Sequence, residues 1–162
     1  MVEEKGIYDY LYLAKKLKKN KDVNFYIYGN NCSKTILNEI KFAKENKIIK
    51  DYKLNVYGKI KENILTESDI LIFPSKHKSE TTPIIIDECI DNLIVPICYD
   101  IGDIRNQINK LDLVGKDLNY IYNKLFYIIS NFDIYKNKIK KLKNSRMNTR
   151  KEYLKKLDNC FY

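Results

Sequence analysis

The sequence predicts an α/β fold with a doubly wound parallel sheet, and two observations support this. Short strands and helices alternate along residues 6–110, as they do in folds built from strand–helix–strand units. The predicted strands 69–73 and 94–99 are apolar on both faces, which is typical of parallel strands covered by helices on both sides. At 162 residues, 44% of them hydrophobic, the chain is long enough for one domain with a full core.

The individual elements follow from hydrophobic spacing and from the residues that start and stop them. Apolar positions at helical spacing predict helices at 6–19, 34–46, 61–67 and near 104–110. Apolar runs ended by glycine or polar residues predict strands at 23–28, 53–57, 69–73 and 94–99. Ser33 is the predicted N-cap of the second helix, and Thr82 is the predicted N-cap of a helix with Pro83 in its first turn.

No strand is predicted from residue 117 onward. The sequence there indicates two or three helices, separated by asparagine and lysine residues, at 117–130, 134–142 and 148–157. We therefore divide the chain into a Rossmann-like domain, residues 1–116, and a basic helical region, residues 117–162, that packs on it or extends from it.

The net charge of +9 belongs almost entirely to the C-terminal region. Residues 1–109 carry 17 basic and 16 acidic side chains, whereas residues 110–162 carry 13 basic and 5 acidic ones. Such a region can contact anionic lipid or nucleic acid, or it can be a solvated helix face. We expect no nucleic-acid partner, and peripheral membrane contact stays open.

The four cysteines have no spacing typical of a metal site. They favour a reducing compartment over a disulfide framework. No apolar run of membrane-spanning length and no secretory leader is recognisable in the sequence. The expected location is the cytoplasm, with the inner face of the membrane as the site of any peripheral contact.

Glu80 and Glu88 point most directly to a function. They lie in the loop and helix after the apolar strand 69–73, so we expect them beside the crevice at the carboxyl end of a parallel strand. Carboxylate oxygens there suit a polyhydroxylated ligand, because they accept hydrogen bonds from neighbouring hydroxyl groups. The alternative is structural: Glu88 on a solvated helix face, and Glu80 as an acid favoured by a helix dipole.

Six segments, in order, resemble the nucleotide-sugar-binding C-terminal half of the group 1 glycosyltransferases, which are retaining enzymes of GT-B architecture. They carry a Lys-Gly turn, a strand ending in glycine, a strand with its loop, an apolar strand, the paired glutamates, and a strand with a glycine-bearing turn. In this sequence they occupy 3–6, 25–29, 56–60, 68–75, 80–88, and 94–97 with 101–108. The resemblance covers about residues 1–110.

The resemblance implies a role for each matching residue. Glu88 would bind the ribose hydroxyls, Glu80 would bind hydroxyls of the transferred sugar, and Lys5 would neutralise the departing diphosphate. The other implied donor-binding residues would contact the diphosphate, sugar or base, several of them through backbone groups: Thr81, Thr82, Lys59, Ile60, Ser75, His77 and Gly29. Lys5 and His77 also have an ordinary interpretation as surface residues, and Ser75 as a turn residue.

The implied function is transfer of a sugar with retention from a nucleotide-diphosphate sugar, such as a UDP- or GDP-sugar, to a glycan or lipid-linked acceptor. The implied setting is polysaccharide biosynthesis, without a metal ion or other cofactor. The chain also departs from the family pattern. Thr81-Thr82 replaces a glycine–aromatic segment, which leaves the sugar unspecified, and no arginine precedes Lys5.

The family's first strand and its N-terminal acceptor-binding half are not recognisable in the sequence. We expect them upstream in a longer protein or on a separate chain, and we expect weak or no activity from these 162 residues alone. The alternative is a non-catalytic or degenerate module that binds nucleotide sugar and pairs with a separate acceptor-domain chain. A response-regulator-like domain is disfavoured, because the acidic cluster and the late lysine of that class are missing from the sequence.

Overall fold

A computed structural model describes residues 3–30, 32–77, 81–108 and 111–158, and it confirms the predicted α/β fold. The strands are β1 (Tyr26–Gly29), β2 (Asp51–Leu54), β3 (Ile70–Phe73), β4 (Val95–Tyr99) and β5 (Val114–Gly115). The helices are α1 (Ile7–Leu17), α2 (Lys34–Glu45), α3 (Gly58–Glu67), α4 (Ile84–Asp91), α5 (Ile104–Gln107), α6 (Leu118–Ser130) and α7 (Phe132–Asp158).

All strand pairs are parallel, as predicted, but they form two small sheets. β1 pairs with β2, and β3, β4 and β5 pair in that order. The Val95 amide donates to the Asp69 carbonyl at 3.0 Å, so the backbone nitrogen of the next residue, Pro96, faces away from β3. The missing N–H of Pro96 therefore costs no hydrogen bond between β3 and β4. The two-residue strand β5, which the sequence analysis did not predict, completes the second sheet.

The core lies between the second sheet and the helices that cover its two faces. Every residue of β4 is buried, whereas all four residues of β3 are only half-buried. Helices on both faces contribute fully buried aliphatic side chains, including Leu13, Ile86, Ile121 and Ile139. The central position of β4 explains why its sequence is apolar without alternation.

Two predicted helix starts can be compared directly with the structure. The Ser33 hydroxyl accepts a hydrogen bond from the Ile36 amide at 3.3 Å, which confirms Ser33 as the N-cap of α2. The prediction of Thr82 as a cap is wrong, because Pro83 occupies the N-cap position of α4 and provides no side-chain hydrogen bond. The rigid backbone of Pro83 (φ −64°) sets the extended conformation that a cap residue needs.

Of the two or three C-terminal helices predicted, the structure has two, because α7 runs unbroken for 27 residues through the break expected between residues 142 and 148. Asparagine costs a helix interior less than about 0.7 kcal/mol relative to alanine, which packing along the first half of α7 outweighs. That half is held by buried Tyr135, Ile139 and Leu142.

Polar contacts then attach α7 to α4. Arg146 Nη1 lies 2.7 Å from Asp87 Oδ1, and Lys143 Nζ donates to the Asp91 carbonyl at 2.6 Å. Beyond Arg146 the described side chains 147–156 are all exposed. Across the described ranges, no helix has the length and apolar character needed to cross a membrane.

Candidate functional site

The Lys-Gly turn reaches the carboxyl end of β3 through a contact that only glycine permits. A short 3-10 turn, Glu3–Lys5, precedes Gly6, which has a left-handed backbone (φ +76°). A Cβ atom at Gly6 would lie 1.9 Å from the Pro74 carbonyl oxygen, just after β3. The turn is also held by a hydrogen bond of 2.7 Å from the Lys76 amide to the Glu4 carbonyl. Lys5 is therefore fixed at the edge of the sheet where ligands of α/β proteins bind.

The segment after β3 brings two more predicted residues to this place. Ser75 is fully buried, and its hydroxyl accepts a hydrogen bond from the His77 amide at 3.4 Å. His77 Nδ1 lies 3.7 Å from Glu4 Oε2 on the Lys-Gly turn. The structure thus brings Lys5, Ser75 and His77 together. The Ser75 contact corresponds to the turn role that the sequence left open, and ligand binding by any of the three stays a prediction.

Glu88 lies in α4 and has two carboxylate oxygens in different situations. Oε1 is 2.6 Å from Lys61 Nζ of α3, in a pair that is partly exposed. Oε2 is buried and has no hydrogen-bond partner among the residues that the structure describes. The adjacent Cys89 is buried, and burial, followed by the charge of Glu88, raises the pKa of its thiol to about 12. Cys89 is therefore a core residue and not a nucleophile.

The start of α4 carries the other predicted sugar and diphosphate contacts. Glu80 falls outside the described residues. Thr81 and Thr82 are exposed, and the Thr81 carbonyl accepts a hydrogen bond of 2.7 Å from the Asp103 amide. This bond ties the beginning of α4 to the glycine-bearing turn after β4.

The predicted base-binding residues Lys59 and Ile60 lie in the first turn of α3, and both are exposed. The predicted start of this helix is residue 61, and the prediction of a loop at 59–60 is wrong because α3 begins at Gly58. Gly58 begins the helix with a positive φ of +50°, a conformation that glycine adopts without a Cβ penalty.

Gly29 ends β1 and is half-buried. The Asn30 side chain accepts a hydrogen bond from the Val56 amide at 2.7 Å. The turn after β1 is therefore close to the segment that precedes Lys59 and Ile60.

Sequence reasoning missed Lys61, the partner of Glu88. The available signal was weak: a lysine in a predicted helix is usually a solvated residue, and the two positions are 27 residues apart. It also missed Asp9, which accepts a hydrogen bond of 2.6 Å from the Tyr99 hydroxyl and pairs with Lys76 at 2.6 Å. Both pairs join elements that only the folded sheet brings together.

The arrangement combines carboxylate acceptors and lysine cations at the carboxyl ends of parallel strands. Within the described ranges no cluster of three or more histidine, cysteine or acidic residues is placed to hold a metal ion. The lysine side chains, the helix N-termini and the backbone amides supply positive charge at these positions.

These features define an α/β domain with polar side chains gathered near the carboxyl ends of its parallel strands. The chain matches the family model for glycosyl transferases group 1 over residues 1–157, and it belongs to that family. No curated protein matches the chain significantly. Family membership supports glycosyl transfer as the general chemistry.

Proposed function

We propose that this domain binds a nucleotide-diphosphate sugar and serves as the donor-binding half of a retaining glycosyltransferase. The observation that carries the proposal is the buried Oε2 of Glu88, an acceptor without a partner in the described part of the chain. A buried acceptor left unsatisfied costs about 1–3 kcal/mol. A ribose hydroxyl would supply the missing donor.

The ion pair with Lys61 supports this role for Glu88. Lys61 Nζ lies 2.6 Å from Oε1, and this charge-assisted contact fixes that oxygen. With one oxygen fixed by α3, the carboxylate has a defined orientation. Such preorganisation lowers the entropy cost of binding a ligand.

The diphosphate is proposed to lie between the Lys-Gly turn and the start of α4. Lys5 reaches this region because Gly6 packs against Pro74, and the N-terminus of α4 favours negative charge. Backbone amides of Thr81 and Thr82 are the proposed contacts, and Glu80 is the proposed ligand of the transferred sugar. Lys59, Ile60 and Gly29 would flank the base, with Ser75 and His77 beside the phosphates.

The proposed reaction breaks the bond between the anomeric carbon and the diphosphate oxygen and forms a bond from that carbon to an acceptor hydroxyl oxygen. The acceptor proton passes to the departing phosphate, and the anomeric configuration is kept. Lys5 stabilises the charge that develops on the leaving group, a role that needs no metal ion. The acceptor-binding domain is proposed to be upstream or on a separate chain, and the enzyme to act in the cytoplasm or at the inner membrane face.

Calorimetric titration with UDP, GDP and their sugars tests the proposal. At least one should bind, and Glu88→Ala should weaken that binding, whereas Glu39→Ala, which removes an exposed carboxylate from α2, should not. Failure of every nucleotide to bind would refute the donor site. Release of nucleoside diphosphate should be slow with the 162-residue chain alone, and fast turnover would contradict the need for a separate acceptor domain.

A further inference from the structure

A cavity of about 460 Å³ opens at the carboxyl ends of β4 and β5, beside the donor residues proposed above. Its lining comes from α1, the segment after β3, the turn after β4 and the start of α6. The side chains that matter here are Asp9, Lys76, Tyr99, Asp100 and Lys116. A volume of this size accommodates a small ligand.

One side of the cavity is a fixed carboxylate. The Asp9 side chain is only 16% exposed, and its Oδ2 lies 2.6 Å from both the Tyr99 hydroxyl and Lys76 Nζ. Lys76 also lies over the Tyr99 ring, 5.4 Å from its centroid. These contacts tie α1 to β4 and hold Asp9 in one position at the cavity wall.

The turn after β4 carries a second oriented carboxylate. Arg105 Nη2 lies 2.6 Å from Asp100 Oδ2, and this contact, with the nearby charge of Lys116, lowers the pKa of Asp100. Asp100 is therefore ionised over the whole neutral range. Lys116 has no ion-pair partner in the described portion of the chain, so its ammonium can donate to a ligand.

The balance of these charges identifies the kind of ligand. Three carboxylates (Asp9, Asp100 and Asp117) and two lysines (Lys76 and Lys116) line the cavity, and Arg105, next to it, pairs with Asp100. Acidic and basic groups are therefore equal in number, and the site favours neither an anion nor a cation. It offers fixed acceptors and donors within one polar space, which suits a neutral molecule with many hydroxyl groups. Apolar ligands are disfavoured, because they would bury these charges without replacing their hydration.

We propose that this cavity binds a neutral saccharide, the reacting sugar end of an acceptor whose remaining part is held by the separate acceptor-binding domain proposed above. Asp9 and Asp100 accept hydrogen bonds from its hydroxyl groups, and Lys116 donates to it. This inference rests on the proposed function, because an acceptor is meaningful only beside a donor site. Lys76 supports the placement, since it lies between Ser75 and His77 of the donor segment.

The test is an NMR titration of the full 162-residue chain with the methyl glycosides of glucose, galactose, mannose and N-acetylglucosamine. At least one should bind at millimolar concentration, with shifts at Tyr99–Ile101 and Lys116, in the presence or absence of saturating UDP or GDP. Asp100→Asn and Lys116→Met should each weaken this binding about tenfold or more, without changing nucleotide affinity. Asp133→Asn, an exposed acid in α7, is the matched control.

Three results would overturn the proposal: no glycoside binds, glycoside and nucleotide compete for one site, or both variants bind as the wild type does. If nucleotides bind and glycosides do not, only the acceptor site is refuted. If no nucleotide binds, the donor site is refuted, and glycoside shifts at these residues would still establish saccharide binding at the cavity.

Discussion

Lys61 Nζ lies 2.6 Å from Glu88 Oε1, and this contact joins α3 to α4 beside the proposed ribose site. The same carboxylate keeps its second oxygen buried, with no partner among the described residues. One ion pair therefore fixes a carboxylate whose second oxygen still lacks a hydrogen-bond donor in the described part of the chain.

Replacing Lys61 with methionine should weaken nucleotide binding about tenfold, which corresponds to about 1.4 kcal/mol. The reason is that Glu88 loses the cation that orients it. The pair is partly exposed, so the free energy of unfolding should change by less than about 1 kcal/mol. Calorimetry and urea unfolding measure the two effects. Lys41→Met, an exposed lysine of α2, is the control, and an unchanged affinity in Lys61→Met would argue against the positioning role.

Gly6→Ala should destabilise the fold by at least about 3 kcal/mol, because the new Cβ would meet the Pro74 carbonyl at 1.9 Å on a backbone with φ +76°. Gly58→Ala is a matched control, since Gly58 also has a positive φ but has nothing within 4 Å of the added atom. It should cost only about 1 kcal/mol of backbone strain. Equal unfolding midpoints for the two variants in urea would contradict the proposed close approach.

Arg146→Met should lower the free energy of unfolding by about 1–3 kcal/mol, because Arg146 donates to the Asp87 carboxylate and to the Gln107 carbonyl. Arg150→Met, one turn further along α7 and exposed, should be nearly neutral. Denaturant unfolding of both variants gives the comparison. A neutral Arg146→Met would show that apolar packing and the Lys143 contact with Asp91 suffice to dock α7 on α4.

Stability should fall as the pH rises above about 9. Burial raises the pKa of Cys89 from 9.0 to about 12, so the folded chain keeps a proton that the unfolded chain releases. The contribution of this group is therefore complete below pH 9 and is lost between about pH 9 and 12. Burial raises the pKa values of Cys98 and Tyr10 in the same direction. Urea midpoints measured from pH 8 to 11 check the sign, and a midpoint that rises with pH would contradict it.

Thiol labelling provides an independent check on the buried cysteines. In a Cys160→Ser background, a thiol-specific disulfide reagent at pH 8 should label Cys32, which is half-buried, well before Cys89 and Cys98. Unfolding in denaturant should release all three. Rapid labelling of Cys89 in the native protein would mean that α4 opens easily.

The free edge of β3 should be visible in amide exchange. The Asp69 carbonyl accepts a hydrogen bond from β4, and backbone groups alternate in direction along a strand. The amides of Ile70 and Ile72 therefore point away from β4, to the side where no described strand pairs. They should exchange at least tenfold faster than those of Leu71 and Phe73. Equal protection at all four positions, measured by NMR, would show that another group covers this edge.

The sequence was sufficient for the fold class and for most elements, because apolar strands and helix caps act locally. Ser33 is an example: its hydroxyl caps α2 as the pattern predicts. The local signals failed where contacts between distant residues determine whether an element forms or where it ends. Strand β5 has only two residues, and α7 passes through asparagine and lysine residues because its earlier turns are held in the core.

Part of the site was also predictable, because some of its residues lie in short segments with local sequence signals. The Lys-Gly turn and the 74–77 segment do meet, and the steric demand at Gly6 explains why. The partners of Glu88 and Tyr99 were not predictable, because Lys61 and Asp9 reach them only through the folded arrangement of helices. Residue patterns identified candidate ligands, whereas charge pairing across elements required the structure.

The central claim, that the buried oxygen of Glu88 binds ribose, is tested most directly by a double-mutant cycle on the ligand and the protein. Wild type and Glu88→Ala would each be titrated with the nucleoside diphosphate that binds and with its 2′-deoxy form. We expect the deoxy ligand to bind the wild type about tenfold or more weakly than the parent nucleotide, because a hydrogen bond to a charged group is lost. In Glu88→Ala the two ligands should bind equally. The same deoxy penalty in both proteins would contradict the claim.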